Sequence, residues 1–377
     1  MKKRNSIWLI ILLGFNFCFA QSDSIKIKNL YDEARGNVYN NPKEALRQID
    51  ILIKKSQENV NQLVDIHILK ATAYSNLRDN EKALENLNKT YELVNILKKK
   101  EQKVSVLHRI ASIYQNLKLY DKSLIYLNEA EKIINQFDKK QDKLEAISYN
   151  YTVRGLIFKD LNNFESAVDY FNKGIESYNQ VENVFVANSN KSVIHYNLGY
   201  CYLKTDIKAS EKAFTESYRL AQLVGTKILL AYSLKGLGEY YFKINDYKTS
   251  NEKLNEAIIL FQNLEDPILK RNVYSLVGLN SIALQEWQQY EKADSLSNIY
   301  NKKVLDSENK TIGLAIKSIK EEAKKSIKTS SSNIILISIA LFIILLIISI
   351  LFFIKKDKIN KKIVKKQEEL TTILHKK

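Results

Sequence analysis

Apolar residues in this chain recur at helical spacing, and small and large ones take fixed places. Five segments carry small, large and small residues at i, i+4 and i+7: Ala83-Leu87-Thr90, Ser123-Leu127-Ala130, Ala167-Phe171-Gly174, Ser210-Phe214-Ser217 and Ser250-Leu254-Ala257. Those three positions share one face of a helix. A second helical stretch precedes each segment, and there a small residue is followed three positions later by a ring. These pairs are Ala71 and Tyr74, Ala111 and Tyr114, Gly155 and Phe158, Gly199 and Tyr202, Gly238 and Tyr241. The small residues stand 40, 44, 44 and 39 positions apart. A small residue lets two helices approach closely, and this reading places the ring in the volume beside it. Weaker units flank the five, at 23–58 around Ala45, Ile49 and Leu52, and at about 266–305 around Tyr290 and Ala293. Both prolines follow an N-cap type of residue, in Asn41-Pro42-Lys43-Glu44 and Asp266-Pro267, and Glu44 is placed to complete a capping box. No alternating strand pattern with hairpin turns occurs. The prediction is an all-α fold of about seven antiparallel helix pairs.

The repeat also shows in the text itself. Asn76–Thr90, Asn116–Ala130, Asp160–Gly174 and Lys243–Ala257 are close paraphrases of one another. A period of this size means a solenoid, which offers a surface for binding. The order of small, aromatic, small and large residues resembles the tetratricopeptide repeat over most of 23–305. Two departures stand out: the usual proline closing the second helix is missing, and the period is about 40 instead of 34. The resemblance implies a right-handed helix-pair solenoid with longer helices. It is similar to the sensory half of bacterial membrane-anchored signalling proteins, either histidine kinases or transcriptional regulators.

Both ends are hydrophobic. Lys2, Lys3 and Arg4, the apolar stretch Ile7–Phe17 and Cys18-Phe19-Ala20 before Gln21 read as a secretory signal peptide over 1–20. Ile334–Ile354 holds no charge; its 21 residues reach roughly 31 Å as a helix, enough for one membrane span. Nine lysines follow in 355–377, so the tail is expected inside and the solenoid outside the cytoplasmic membrane. The expected order is signal peptide 1–20, solenoid 21–305 in the periplasm, membrane-proximal helix 306–333, span 334–354 and basic stub 355–377. Ile312, Ile316, Ile319 and Ala323, and later Ile359, Ile363, Leu370 and Ile373, have coiled-coil spacing that suits a homodimer.

The net charge of +16 would suit nucleic acid, but an exported solenoid never meets it, and over half of that charge lies in the leader and the stub. Without the leader only Cys201 remains, on an apolar face, so no intramolecular disulfide forms. His67, His108, His195 and His375 lack metal-spaced partners, and no phosphate loop or nucleophile elbow occurs. Catalytic, cofactor and metal sites are therefore expected to be none. The first-helix positions not used in packing instead predict a concave wall for a protein or peptide. It comprises Asn76, His108, Gln115, Asn116, Tyr149, Tyr196, Tyr200, Lys235 and Glu239, with Thr72, Ser75, Ser112, Thr152, Lys159, Asp160, Lys204 and Lys243 beside them. A non-catalytic sensor or adaptor is the expected function. The alternatives are an envelope scaffold or a sensor cut short of its output domain.

Overall fold

A computed structural model gives the fold and describes residues 26–55, 60–97 and 99–374. The signal peptide reading and His375 lie outside them. The described residues are helical, with no strand among them. Seven pairs follow in order. They are α1 (26–40) with α2 (Pro42–Lys55), α3 (Val60–Asn76) with α4 (Asn80–Leu97), and α5 (Lys100–Asn116) with α6 (Tyr120–Ile134). Next come α7 (Lys140–Asp160) with α8 (Phe164–Tyr178), α9 (Val184–Thr205) with α10 (Ile207–Val224), and α11 (Lys227–Lys243) with α12 (Tyr247–Phe261). The seventh is α13 (Pro267–Ala283) with the start of α14 (Trp287–Leu374). The first helices of neighbouring pairs pack side by side, α3 on α5, α5 on α7, α7 on α9, α9 on α11 and α11 on α13.

The small residues are where the two helices of a pair come closest. A Cβ added at Gly155 would lie 2.6 Å from the Phe171 ring, and one at Gly238 would lie 2.8 Å from Leu254. At Gly199 and at Gly236 it would enter the ring of Phe214, so that ring is gripped between two glycines on α9 and α11. The filling group is thus the large residue of the second helix, not the ring three positions on. Tyr114 and Phe158 instead stack flat on Tyr126 and Tyr170, with centroids 5.5 and 5.3 Å apart. Where the facing small residue is serine, its buried hydroxyl donates to the carbonyl of the partner small residue. Ser123 reaches Ala111 at 2.8 Å, Ser210 reaches Gly199 at 2.9 Å and Ser250 reaches Gly238 at 2.7 Å. These bonds hold the pairs at glycine distance.

Five of the turns inside pairs use one geometry. Arg78, Lys118, Asn162, Asn245 and Gln285 adopt φ of 58 to 65°, and the following amide bonds a carbonyl five residues back, as from Asp79 to Tyr74 at 2.9 Å. This is a helix-closing motif that usually carries glycine. The α9–α10 turn differs: Asp206 is extended at φ −151° and its carboxylate accepts from the amides of Lys208 and Ala209. The predicted caps form at Asn41 and Asp266. Glu44 does not complete a capping box, because its carboxylate is taken by the Arg47 guanidinium at 2.7 and 3.0 Å.

The chain divides into two compact units, the first ending at Leu314 and the second beginning at Ala315. In the first, Leu314 packs on the apolar cluster of Val64, Leu87 and Ile110. Ile312 is exposed there, as are Ile316 and Ile319 in the second. In the second unit the described apolar side chains of the 334–354 run are Ile339 and Leu341–Ile348, all exposed. Among the described residues no helix is long and apolar enough to cross a membrane, so the span predicted at 334–354 is not shown.

Candidate binding site

The residues of the predicted wall lie on α3, α5, α7, α9 and α11, and most of their polar groups are already bonded within the protein. The Asn76 amide donates to the Val38 carbonyl at 2.7 Å. Gln115 donates to the Asp160 carboxylate at 2.6 Å, and the Ser112 and Tyr149 hydroxyls pair at 2.7 Å. Lys159 donates to Asn197 at 2.7 Å; burial lowers its pKa. Thr72 and Thr152 are buried and bond carbonyls one turn back in their own helices. Asn116, Lys204 and Lys243 are exposed. The wall therefore presents a pre-set pattern with few free donors.

Between α9 and α11 lies its aromatic part. Tyr196 sits edge-on to both Tyr200 and Tyr232, with centroids 4.9 and 5.4 Å apart. Lys235 is only 5% exposed. It donates to the Tyr200 hydroxyl at 2.6 Å, lies 4.8 Å from that ring's centroid and pairs with Glu239. Burial pulls its ammonium pKa down, but Tyr196 and Glu239 outweigh this and hold it above the ordinary value. Burial raises both the Tyr196 and the Tyr200 phenols. Lys235 thus stays charged and Tyr196 and Tyr200 stay neutral donors.

Residues that the sequence reading did not single out complete the site. A cavity of about 370 Å³ lies between Tyr39, Asn76, Arg78 and Asn116 on one side and Tyr196, Tyr232 and Asp266 on the other. The early pairs therefore meet the α12–α13 loop. Lys43 at the start of α2 pairs with Glu265 in that loop at 2.8 Å, across 222 positions of sequence. Tyr232 donates its hydroxyl to Asp266 at 2.6 Å.

His108 is buried against Tyr149, ring centroids 4.9 Å apart, and its Nε2 has no partner. Burial, with the Arg109 charge beside it, lowers its pKa from 6.5 to about 3. The neutral ring's stability is thus complete above the unfolded value and lost as pH falls from 6.5 towards 3, at on the order of 1 kcal/mol per pH unit. Burial lowers the pKa of His67 and His195 in the same direction. Thermal melts between pH 7 and pH 4 are expected to show a shallower fall for His108→Gln than for the wild type. Parallel curves would contradict the assignment.

This geometry defines a helical-repeat solenoid with a polar inner wall and no assigned chemistry. Residues 104–137 and 148–180 match the model of the tetratricopeptide repeat, so the chain carries tetratricopeptide repeats. Its fold is similar to that of a signal transduction ATPase with a tetratricopeptide repeat sensor from Pyrococcus horikoshii, at 16% identity and TM-score 0.51, over 72% of this chain and 41% of that one. The chain thus spans less than half the length of that ATPase. It is also similar to NprR, solved in complex with its cognate peptide NprX, at 12% identity and TM-score 0.53, over 82% of this chain and 99% of NprR. At such identities the likeness concerns fold. No curated protein matches the sequence.

Proposed function

We propose that this protein is a membrane-anchored binding module without catalytic activity, a sensor or adaptor whose solenoid lies outside the cytoplasm and takes a protein or peptide on its inner wall. The observation that carries the binding reading is the wall itself. Tyrosines and amides from the first helices α1, α3, α5, α9 and α11 converge on one cavity, in a fold shared with a peptide-bound protein. Membrane anchoring is supported by the charge-free run Ile334–Ile354, the exposed side chains Leu341–Ile348 within it and the lysines that follow. The exposed Ile312, Ile316 and Ile319 suit helix pairing into a homodimer.

Two measurements test this. Photo-crosslinkers at Lys204 and Lys243, exposed at wall positions, are expected to capture one discrete protein or peptide in intact cells. Capture should be lost on Tyr200→Ala with Asn116→Ala. Labelling that only follows abundance, or that survives the double change, overturns the binding role. For topology, a reporter active only in the cytoplasm should work when fused after Lys377 and fail when fused at Glu308. The opposite pattern removes the orientation.

A further inference from the structure

We propose that the cavity between the early pairs and the α12–α13 loop binds a small ligand with one carboxylate and an apolar body, of di- or tripeptide size, and that Arg78 holds the carboxylate. This rests on the peptide-binding reading above and narrows it. The occupant is short, not an extended segment lying along the whole wall.

Size comes first. At about 370 Å³ the cavity sits at the lower end of small-molecule pockets, roughly 300–1,000 Å³. The Lys43–Glu265 pair ties the start of α2 to the α12–α13 loop, and Leu264 and Asp266 of that loop line the cavity with Tyr39 and Pro42. A long peptide running between the two sides would have to part that clasp.

The lining decides the ligand's body. Ser192, Ser217 and Ser233 border the cavity, and all are buried. Their hydroxyls are spent on each other and on the carbonyls of Ser217, Ser192 and Leu229. With Ile228 and Leu229 beside them, that part of the lining offers shape and apolar contact and no free donor. An aliphatic or aromatic group would be buried there at a gain of roughly 25 cal/mol per Å².

Charge decides the ligand's head. Three ionised side chains line the cavity: Arg78, Glu265 and Asp266. Glu265 is paired with Lys43. Asp266 accepts from Tyr232 and caps α13 through the Leu269 amide at 2.9 Å, next to the positive end of the helix. The Arg78 guanidinium has no hydrogen bond or ion pair among the described residues. It is half-buried and lies near the Tyr232 phenol, whose pKa burial and Asp266 raise and Arg78 opposes. A guanidinium in that position is the ready partner of a carboxylate, which it grips through two parallel N–H donors. A single free cation beside two satisfied carboxylates suits a monoanion rather than a phosphate. The exposed Asn116 amide, also without a partner among the described residues, is left for the ligand's backbone.

The test uses the purified full chain in detergent and three probes, measured by calorimetry and melting temperature. They are the tripeptide Ala-Ala-Leu with a free carboxylate, the same peptide amidated at its C-terminus, and hexanoate. The free acid peptide is expected to bind and to raise the melting temperature, and the amide to bind roughly tenfold weaker or worse. Hexanoate binding as well as the peptide would identify the source as a simple organic acid; binding of the peptide alone would identify a peptide terminus. Arg78→Gln should remove the preference for acid over amide while leaving the unliganded melting temperature in place. Arg78→Lys should keep part of it, which separates a lost contact from a damaged turn. The proposal is overturned if acid and amide bind alike, if none of the three binds, or if Arg78→Gln binds the acid as the wild type does. Should crosslinking from Lys204 and Lys243 still capture a partner in that event, the wider binding role stands and only this site falls.

Discussion

Phe214→Ala is expected to cost the solenoid about 3–5 kcal/mol, the range for removing a fully buried ring. The ring is 0% exposed and is held by four neighbours. Gly199 and Gly236 press on its two faces as bare backbone, and Tyr196 and Tyr200 meet it edge-on at 6.1 and 5.2 Å. The Ser210 bond to the Gly199 carbonyl fixes the spacing of α9 and α10. The void therefore stays open instead of closing. The reverse change, Gly199→Leu, drives a side chain into the ring and should cost about 1–3 kcal/mol or more. Denaturant unfolding, with amide exchange across α9–α11 as a local reading, checks both. A Phe214→Ala protein within about 0.5 kcal/mol of wild type would mean that the α9–α10–α11 packing is wrong.

The second large effect is expected at the buried ion pair. Glu239→Leu leaves the Lys235 ammonium without its counter-charge at a nearly inaccessible place, at a cost of about 3–5 kcal/mol. Adding Lys235→Met removes the stranded charge, so the double variant should regain most of that loss. The coupling is what matters. If the two changes simply add, the pair is not an interacting unit. The double variant also separates stability from binding, because it keeps the packing of α11 while removing both charged groups from the wall.

Much of this architecture was legible in the chain. The small residues at Ala71, Ala111, Gly155, Gly199 and Gly238 mark the helix contacts because close approach leaves no room for anything larger. The caps at Asn41 and Asp266 were readable because their chemistry is local. What filled the space beside each glycine was not. The ring three residues on and the large residue of the second helix both satisfy the spacing, and only the docking angle selects Phe171 over Phe158. Repeat position named the residues of the wall, but it did not show which of their groups are free. Gln115 and Asp160, or Lys159 and Asn197, are partners about 40 positions apart, and no local pattern says that they spend their hydrogen bonds on each other. Arg78, Tyr39 and Tyr232 were missed altogether. Their meeting depends on small rotations summed over several pairs, which no window of sequence contains.

The bond between Lys43 and Glu265 changes how the array can come apart. A linear stack of pairs, each touching only its neighbours, frays from its ends, and the terminal units open first. Here the α12–α13 loop is tied back to the start of α2, and Leu314 reaches the α3–α5 cluster. Opening the first pair or the α12–α13 end then disturbs the other as well. The ion pair itself is exposed and weak, on the order of 0–1 kcal/mol. Its position matters more than its strength, since it couples two fraying events that would otherwise be independent, by at most that amount. Amides of α2 and α13 should accordingly speed up together in Lys43→Ala, by up to about fivefold.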